Sequence, residues 1–286
     1  MRKKRIGLIL TAVLIFSCIF QPAPAYGAVT EFPEIAAQSA VLINADTGEI
    51  LYDKYKDLQV YPASTTKVMT ALLTLENMDL DDVCTVSHNA AYTEGSRIFL
   101  LEGEQLPVEP LLYAMMLPSA NDAAITLAEA CVGDVDSFAD MMNEEAARIG
   151  AVDTHFVNPH GLHDEDHYTT AYDLYLIFNA ACADQRFMDI ISMDSYTADI
   201  TGADGTVRTD IWTPTNYYAA GLASAPDGVT VIGGKTGTTD QAGNCVILYD
   251  ESSDGTPYIS VIMGASDKTL LYDQMNQLFS AGMNKG

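Results

Sequence analysis

The stretch Pro62-Ala63-Ser64-Thr65-Thr66-Lys67-Val68 begins a predicted helix that continues to about Asn77. A proline at the start and apolar residues at helical spacing support this prediction. Because residues three apart lie on nearly the same helix face, the Lys67 amine can reach the Ser64 hydroxyl. Serine is a poor nucleophile that needs a positioned base, and a buried lysine with a lowered pKa can be that base. The spacing is common by chance, so the prediction of a nucleophile needs further signals.

Elements on both sides of this helix predict an α/β (α+β) fold. Residues 39–54 have the pattern of a β-hairpin with a turn at residues 44–48. The order predicts an antiparallel sheet flanked by terminal helices, with an inserted all-helical subdomain at roughly residues 68–190. Helices are predicted at 107–116, 121–131, 135–150 and 170–183, strands at 196–201, 206–212, 230–234, 245–250 and 257–265, and a last helix at 267–283.

A second signal is Ser119-Ala120-Asn121, which follows Pro118 in a break between two predicted helices. A hydroxyl at this position could relay a proton to a leaving group, and the amide could bind a peptide group of a substrate. Serine and asparagine are also common helix N-caps, so a purely structural role is the alternative.

A third signal is the predicted strand Gly233-Gly234-Lys235-Thr236-Gly237-Thr238-Thr239. Its glycines allow close backbone approach, and such an edge can bind an extended peptide as an added strand. Lys235 and the hydroxyls of Thr236 and Thr238 could hold a terminal carboxylate. The alternative is an edge strand that a lysine protects from aggregation.

The order of the three signals is that of penicillin-binding proteins and class A β-lactamases, which carry S-x-x-K, S-x-N and K-T-G. Over residues 39–266 the chain resembles the low-molecular-mass D-alanyl-D-alanine carboxypeptidases. The resemblance implies a β-lactamase/transpeptidase-like fold without a cofactor or metal. Its most specific segments are residues 42–48, 61–70, 156–162, 168–174 and 234–245.

The resemblance also implies roles for the residues that match. The substrate would be a peptidoglycan stem peptide ending in D-Ala-D-Ala, and β-lactam antibiotics would acylate the same serine. Ser64 would be the nucleophile, with backbone N–H groups of Ser64 and Thr238 as the oxyanion hole. The catalytic residues would be Ser64, Lys67 and Ser119, and the substrate-binding residues would be Asn121, Lys235, Thr236, Gly237 and Thr238.

The N-terminus predicts export. Basic residues at 2–5, an apolar run at 6–20 and small residues at 22–28 are typical of a signal peptide, predicted here at 1–27. If this segment is not cleaved, it would attach the protein to the membrane; otherwise the protein lies in the cell wall or is secreted. The signal peptide holds four cationic residues and no acidic one, so its removal changes the net charge from −25 to −29. Such a surface repels nucleic acid.

Residues 28–286 are expected to form the catalytic domain, without the C-terminal β-rich domain that many family members carry. Four other functions are alternatives. A β-lactamase would need a water-activating glutamate, and Glu165 lacks the E-x-x-L-N pattern. A zinc peptidase could use His160, His163 and His167, although a polar loop is the simpler interpretation. A DD-endopeptidase or a non-catalytic penicillin-binding sensor would keep all three signals.

Four cysteines, Cys84, Cys131, Cys182 and Cys245, allow either disulfides or free thiols.

Overall fold

The structure is a computed structural model that describes Phe32 and residues 34–283. The predicted signal peptide at 1–27 lies outside the described residues. None of the helices found in the described part is long and apolar enough to cross a membrane. The strands are β1 (Ser39–Asn44), β2 (Ile50–Lys54), β3 (Val83–Thr85), β4 (Gln105–Pro107), β5 (Tyr196–Thr201), β6 (Val207–Trp212), β7 (Val229–Thr239), β8 (Gly243–Ser252) and β9 (Pro257–Ala265). The α-helices are α1 (Lys67–Asn77), α2 (His88–Ala91), α3 (Val108–Met116), α4 (Asn121–Val132), α5 (Val135–Ile149), α6 (Ala171–Cys182), α7 (Gln185–Ile191) and α8 (Lys268–Gly282).

The main sheet has five antiparallel strands in the order β2-β1-β9-β8-β7. The first hairpin therefore pairs with the last strand, from Ser39 opposite Met263 to Asn44 opposite Tyr258. The predicted hairpin and the three predicted C-terminal strands are confirmed. β7 lies at one edge of this sheet, and among the described residues β8 is its only strand neighbour.

Each face of the main sheet packs against a hydrophobic core, because successive side chains of a strand point to opposite faces. In β1, Val41 and Ile43 pack into the larger core, which contains α1, α3, α4 and α6. Leu42 belongs to a second core under α8, the predicted C-terminal helix. The sheet is therefore a middle layer between α8 and the helical insertion.

α1 is the central helix of the larger core and contacts α3, α4, α5, α6 and α7. All nine residues of Lys67–Leu75 are buried, polar ones included. The helix begins at Lys67, and the residues before it, Ala63–Thr66, form a short 3-10 turn. Two other helices have defined caps: Thr170 accepts the Asp173 N–H at the start of α6, and Gly150 ends α5 with a φ of 96°.

The inserted segment differs from the all-helical block that the sequence predicted. It carries a second antiparallel sheet in the order β3-β4-β5-β6, so β5 and β6 do not join the main sheet. Aromatic packing holds them there, because the Tyr196 ring stacks on Tyr113 of α3 at 4.0 Å and on Trp212 at 6.1 Å between centroids. β3 and β4 have three residues each, which is too short to show a period of two.

Candidate active site

Ser64 lies in the 3-10 turn Ala63–Thr66, which leads directly into α1. Ala63 has a φ of 48°, a conformation that is costly for a residue with a Cβ. Two contacts hold this turn. The Thr66 hydroxyl donates to the Ala63 carbonyl oxygen at 2.8 Å. Gly161, with a φ of 86°, lies so close that a Cβ there would be 1.8 Å from the same oxygen.

Lys67 is fully buried one turn after Ser64, and its amine has three polar neighbours. Nζ donates to Asn121 Oδ1 and to the His160 carbonyl oxygen, both at 2.7 Å, and it lies 3.0 Å from Ser64 Oγ. A neutral amine has two N–H groups and one lone pair. Because two carbonyl-type oxygens accept the N–H groups, the lone pair of a neutral Lys67 faces the serine hydroxyl.

The protonation of Lys67 depends on its surroundings. Burial, followed by the charge of the nearby Lys235, holds the pKa of Lys67 well below its usual range. The Asp122 carboxylate acts in the opposite direction and raises this pKa. Since burial and the second lysine dominate, the amine is disposed to be neutral and to accept a proton.

Ser119 and Lys235 form a second serine–lysine contact. Lys235 Nζ donates to Ser119 Oγ at 3.0 Å and to the Thr236 carbonyl oxygen at 2.9 Å. Burial lowers the pKa of Lys235 to about 7. Ser119 has a φ of 67°, an uncommon conformation for a non-glycine residue. Strain of this kind concentrates at functional sites, where surrounding structure maintains it.

Asn121 and Ser119 do not cap helix α4, so the structural alternative for this signal is wrong. The N-cap is Ala120, and no side chain makes a capping hydrogen bond. Asn121 instead uses both ends of its amide, because Nδ2 donates to the Glu94 carbonyl oxygen at 2.7 Å while Oδ1 accepts from the lysine of α1. Gly95 permits this approach, since a Cβ there would lie 2.7 Å from Asn121 Nδ2.

Strand β7 passes directly beside the nucleophile. A Cβ at Gly237 would lie 2.8 Å from the Ser64 backbone nitrogen and 2.9 Å from the Pro62 carbonyl oxygen. Only glycine fits this approach without displacing the turn. The third sequence signal is therefore in contact with the first.

Two threonines of β7 have defined partners. The hydroxyls of Thr236 and Thr215 are 2.6 Å apart, and Thr238 Oγ1 donates to Asn244 Oδ1 at 3.1 Å. Thr238 is exposed and Thr236 is half-buried, so both are placed where a ligand at the sheet edge could meet them. The fold thus brings together the predicted catalytic and substrate-binding residues of all three signals.

His160 and His167 are buried beside the nucleophile, and their ring nitrogens make hydrogen bonds within the protein. His160 Nδ1 accepts the Leu162 N–H at 3.1 Å. His167 Nδ1 accepts the Val157 N–H at 3.1 Å, so its Nε2 carries the hydrogen and donates to Thr66 Oγ1 at 2.8 Å. Burial lowers the pKa of His160 to about 3 and that of His167 to about 4. Both rings are therefore neutral, and His167 supports the turn through Thr66.

The zinc alternative finds no support in this arrangement. His163 packs edge-on against Tyr61 with ring centroids 4.6 Å apart. Within the part of the chain that the structure describes, no group of three or more His, Cys, Asp or Glu side chains could hold a metal ion. Glu165, the candidate glutamate of a β-lactamase, is exposed. The four described cysteines are free thiols.

Asp122 and Thr215 belong to the site, and the sequence interpretation missed both. Asp122 is fully buried and accepts the N–H groups of Ile98 and Leu100 at 3.3 and 3.0 Å. These bonds hold the loop at residues 98–100 against the start of α4, next to Asn121. An acidic residue in the first turn of a helix is common, so Asp122 carried no distinct signal. Thr215 lies in an irregular segment whose proximity to β7 only the fold reveals.

Comparisons with known proteins agree on one family. A family model described as D-alanyl-D-alanine carboxypeptidase matches residues 27–267. A D-alanyl-D-alanine carboxypeptidase of Streptomyces sp. (strain K15) is 32% identical over 93% of this chain and 93% of that protein. DacF of Bacillus subtilis, also named D-alanyl-D-alanine carboxypeptidase, is 34% identical over 80% of this chain. The match spans 58% of the length of DacF.

The solved structures give the same result for the fold. The crystal structure of the Streptomyces K15 DD-transpeptidase superimposes with a TM-score of 0.81 at 29% sequence identity. The match covers 88% of this chain and 98% of that protein. The β-lactamase/transpeptidase-like fold that the sequence predicted is therefore confirmed.

Proposed function

This chain belongs to the D-alanyl-D-alanine carboxypeptidase family, and on that premise we propose that it removes the terminal D-Ala from peptidoglycan stem peptides through an acyl-enzyme on Ser64. The observation that carries the proposal is the environment of Lys67. When the amine is neutral, its two N–H groups have carbonyl-type acceptors, and its lone pair faces Ser64 Oγ at 3.0 Å. A serine with a base in this position is an activated nucleophile.

In the acylation step, Ser64 Oγ attacks the carbonyl carbon of the penultimate D-Ala and its proton passes to Lys67 Nζ. The peptide C–N bond then breaks, and the proton held by Lys67 passes through the Ser119 hydroxyl to the leaving D-Ala nitrogen. The contact of Ser119 with Lys235 at 3.0 Å supports this role, because Ser119 Oγ accepts the lysine N–H and keeps its own hydrogen to donate. The products are free D-Ala and an ester on Ser64.

The transition state needs stabilisation of its oxyanion. Ser64 is at the beginning of a helical segment, where backbone N–H groups have no intrahelical partners. We assign the oxyanion hole to the backbone N–H groups of Ser64 and Thr238, and the close approach at Gly237 supports this pairing.

The substrate is held on both sides of the scissile bond. Lys235 and the hydroxyls of Thr236 and Thr238 bind the terminal carboxylate, and the Asn121 amide binds a peptide group of the acyl part. The Lys235 cation supplies a local positive charge for an anionic peptide terminus inside a chain of net charge −25. Gly237 keeps the strand close enough for these contacts.

Deacylation completes the cycle with water. Water gives a proton to Lys67 and attacks the ester carbonyl, the bond to Ser64 Oγ breaks, and the serine oxygen takes that proton from the lysine. A β-lactam acylates the same serine, but ring opening leaves the amine attached to the adduct. No fragment departs, so the adduct keeps the site occupied.

The site of action is outside the cytoplasmic membrane, in the cell wall or beyond it. The basic and apolar N-terminal residues 1–27 support export, as does a substrate that is assembled into the wall. The signal segment retains the protein at the membrane if it stays uncleaved.

The test is D-Ala release from diacyl-L-Lys-D-Ala-D-Ala by the purified protein, with the Ser64→Ala variant beside it. Wild-type release that disappears in the variant supports both the reaction and the nucleophile. Equal release by the two proteins contradicts the proposal.

A further inference from the structure

The loop between α2 and β4 borders the catalytic residues beside Asn121. The Asn121 N–H donates to the Ser96 carbonyl oxygen of this loop at 2.7 Å. The Asn121 side chain in turn accepts from Lys67, whose amine lies 3.0 Å from Ser64 Oγ. A short series of hydrogen bonds therefore leads from the nucleophile to Ser96, and the next residue of the chain is Arg97.

Side chains of this loop alternate between the core and the surface. Ile98 and Leu100 are buried, and the Asp122 carboxylate accepts the N–H groups of both. Between them, Phe99 is 68% exposed, and Arg97 is half-buried. Phe99 has a φ of 60°, which is rare for a bulky residue, and strain of this kind concentrates at functional sites. The loop thus holds Arg97 and Phe99 outwards on a fixed backbone.

Arg97 is a cation without a carboxylate partner in an acidic protein. The other three arginines of residues 34–283 make ion pairs, whereas Arg97 makes none with any described residue. Its guanidinium lies over the Phe99 ring, with 5.2 Å between Cζ and the ring centroid, and this cation–π contact restrains the group. Protein covers only Nε; the two Nη atoms remain accessible and make no hydrogen bond within the described chain.

The position of Arg97 relative to the substrate follows from the proposed function, on which this inference rests. In that proposal, Lys235 binds the terminal carboxylate and Asn121 binds the acyl part. Arg97 lies beyond Asn121, so it borders the acyl side of the substrate. An extended peptide advances about 3.3–3.6 Å per residue, so the two residues before the penultimate D-Ala cover roughly 7 Å of this side. Side chains of these two residues are within reach of an arginine that follows directly after Ser96.

We propose that Arg97 is a specificity-determining residue that binds a carboxylate in the acyl part of the stem peptide. A guanidinium can hold a carboxylate through two parallel hydrogen bonds. In a chain of net charge −25, this cation also offsets the repulsion of an anionic acyl part. Amidation of the carboxylate removes its charge, so the protein distinguishes free from amidated stem peptides.

The carboxylate can come from two residues, and the experiment separates them with two matched pairs of substrates. In the first pair, acetylated γ-D-Glu-L-Lys-D-Ala-D-Ala carries the α-carboxylate of D-Glu either free or as the carboxamide. In the second pair, D-Glu is amidated and meso-diaminopimelate replaces L-Lys, with its side-chain carboxylate free or amidated. We expect wild-type kcat/KM for D-Ala release to favour the free carboxylate of one pair about tenfold, and Arg97→Gln to abolish this preference.

Two further variants control for charge and geometry. Arg97→Lys keeps the charge but not the paired hydrogen bonds, so it should retain part of the preference. Lys268→Gln removes an equal charge and is the matched control, because Lys268 also lies over an aromatic ring, 5.6 Å from the centroid of Tyr217. It begins α8, on the opposite face of the main sheet from the helical insertion, and its loss should leave the preference unchanged.

The outcomes separate this inference from the proposed function. Equal wild-type kcat/KM within both pairs overturns the role of Arg97, as does a preference that survives Arg97→Gln or that Lys268→Gln lowers equally. Diacyl-L-Lys-D-Ala-D-Ala has no carboxylate in its acyl part, so Arg97→Gln should release D-Ala from it at the wild-type rate. An equal loss with this neutral substrate shows a structural role only and overturns the inference. Wild-type protein that releases no D-Ala from any substrate contradicts the proposed function, and this inference with it.

Discussion

Replacing Gly161 with alanine tests whether the loop at residues 156–162 positions the nucleophile. The new Cβ would lie 1.8 Å from the Ala63 carbonyl oxygen, whereas ordinary contact begins near 3.4 Å. The loop and the turn must therefore separate by about 1.6 Å, and Ser64 directly follows Ala63. The new Cβ and the Ala63 carbonyl oxygen are both fixed to the backbone, so a side-chain rotation cannot relieve the collision.

The expected magnitude has two parts. At a φ of 86°, alanine costs about 1–2 kcal/mol relative to glycine. For a chain of this size that lowers Tm by roughly 2–8 °C. A misplacement of about 1 Å in a catalytic group can cost about a hundredfold in rate. We therefore expect kcat/KM for D-Ala release to fall by about two orders of magnitude.

Gly255→Ala is the matched control for this substitution. Gly255 has a φ of 82°, and a Cβ there meets no atom within 4 Å. The control therefore has the backbone cost without the collision. Thermal denaturation measures the first effect in both variants, and the rate of acylation by a fluorescent penicillin measures the second. If Gly161→Ala acylates as fast as Gly255→Ala, the close approach does not position the serine and the reasoning is wrong.

Three other predictions follow from the same contacts. We expect kcat/KM to fall at acid pH as Lys67 gains a proton, and to fall again above about pH 7 as Lys235 loses its charge. With a substrate that ends in a carboxamide, only the fall at alkaline pH should disappear. Identical pH profiles for the two substrates would contradict the role of Lys235. Thr66→Val leaves the His167 Nε2–H without an acceptor and should lower the free energy of unfolding by about 1–3 kcal/mol in urea titrations, whereas an unchanged midpoint contradicts the support role. After removal of residues 1–27, unfolded and unreduced protein should show four free thiols, and a count of two would reveal a disulfide.

Much of the site could be predicted from the sequence because its chemistry depends on local spacing. The three-residue interval from Ser64 to Lys67 places both side chains on one helix face, and the structure places them 3.0 Å apart. Alternation in Val229–Thr239 likewise places Thr236 and Thr238 on the same face of the strand. The contact between the Ser64 turn and β7 cannot be predicted from local spacing. It was predicted only through the family resemblance over residues 39–266.

The parts that the sequence did not predict depend on contacts between distant segments. Asp122 is important because it binds backbone N–H groups 22 and 24 residues earlier in the chain. The histidine cluster suggested metal ligands because spacing shows which side chains are near, but not which of their nitrogens are already bonded. β5 and β6 were predicted as strands, but their sheet was not, since short partners such as β3 carry no periodic signal.

We propose Ser64, with Lys67 as its base, as the nucleophile of the site. The most direct measurement is mass spectrometry of the protein after brief exposure to benzylpenicillin, with peptide mapping of the adduct. We predict one penicilloyl group on the peptide that contains Ser64. The Ser119→Ala variant should form this adduct more slowly, and the Ser64→Ala variant should not form it. An adduct on Ser119 or any other residue, or no adduct on folded wild-type protein, would contradict the account.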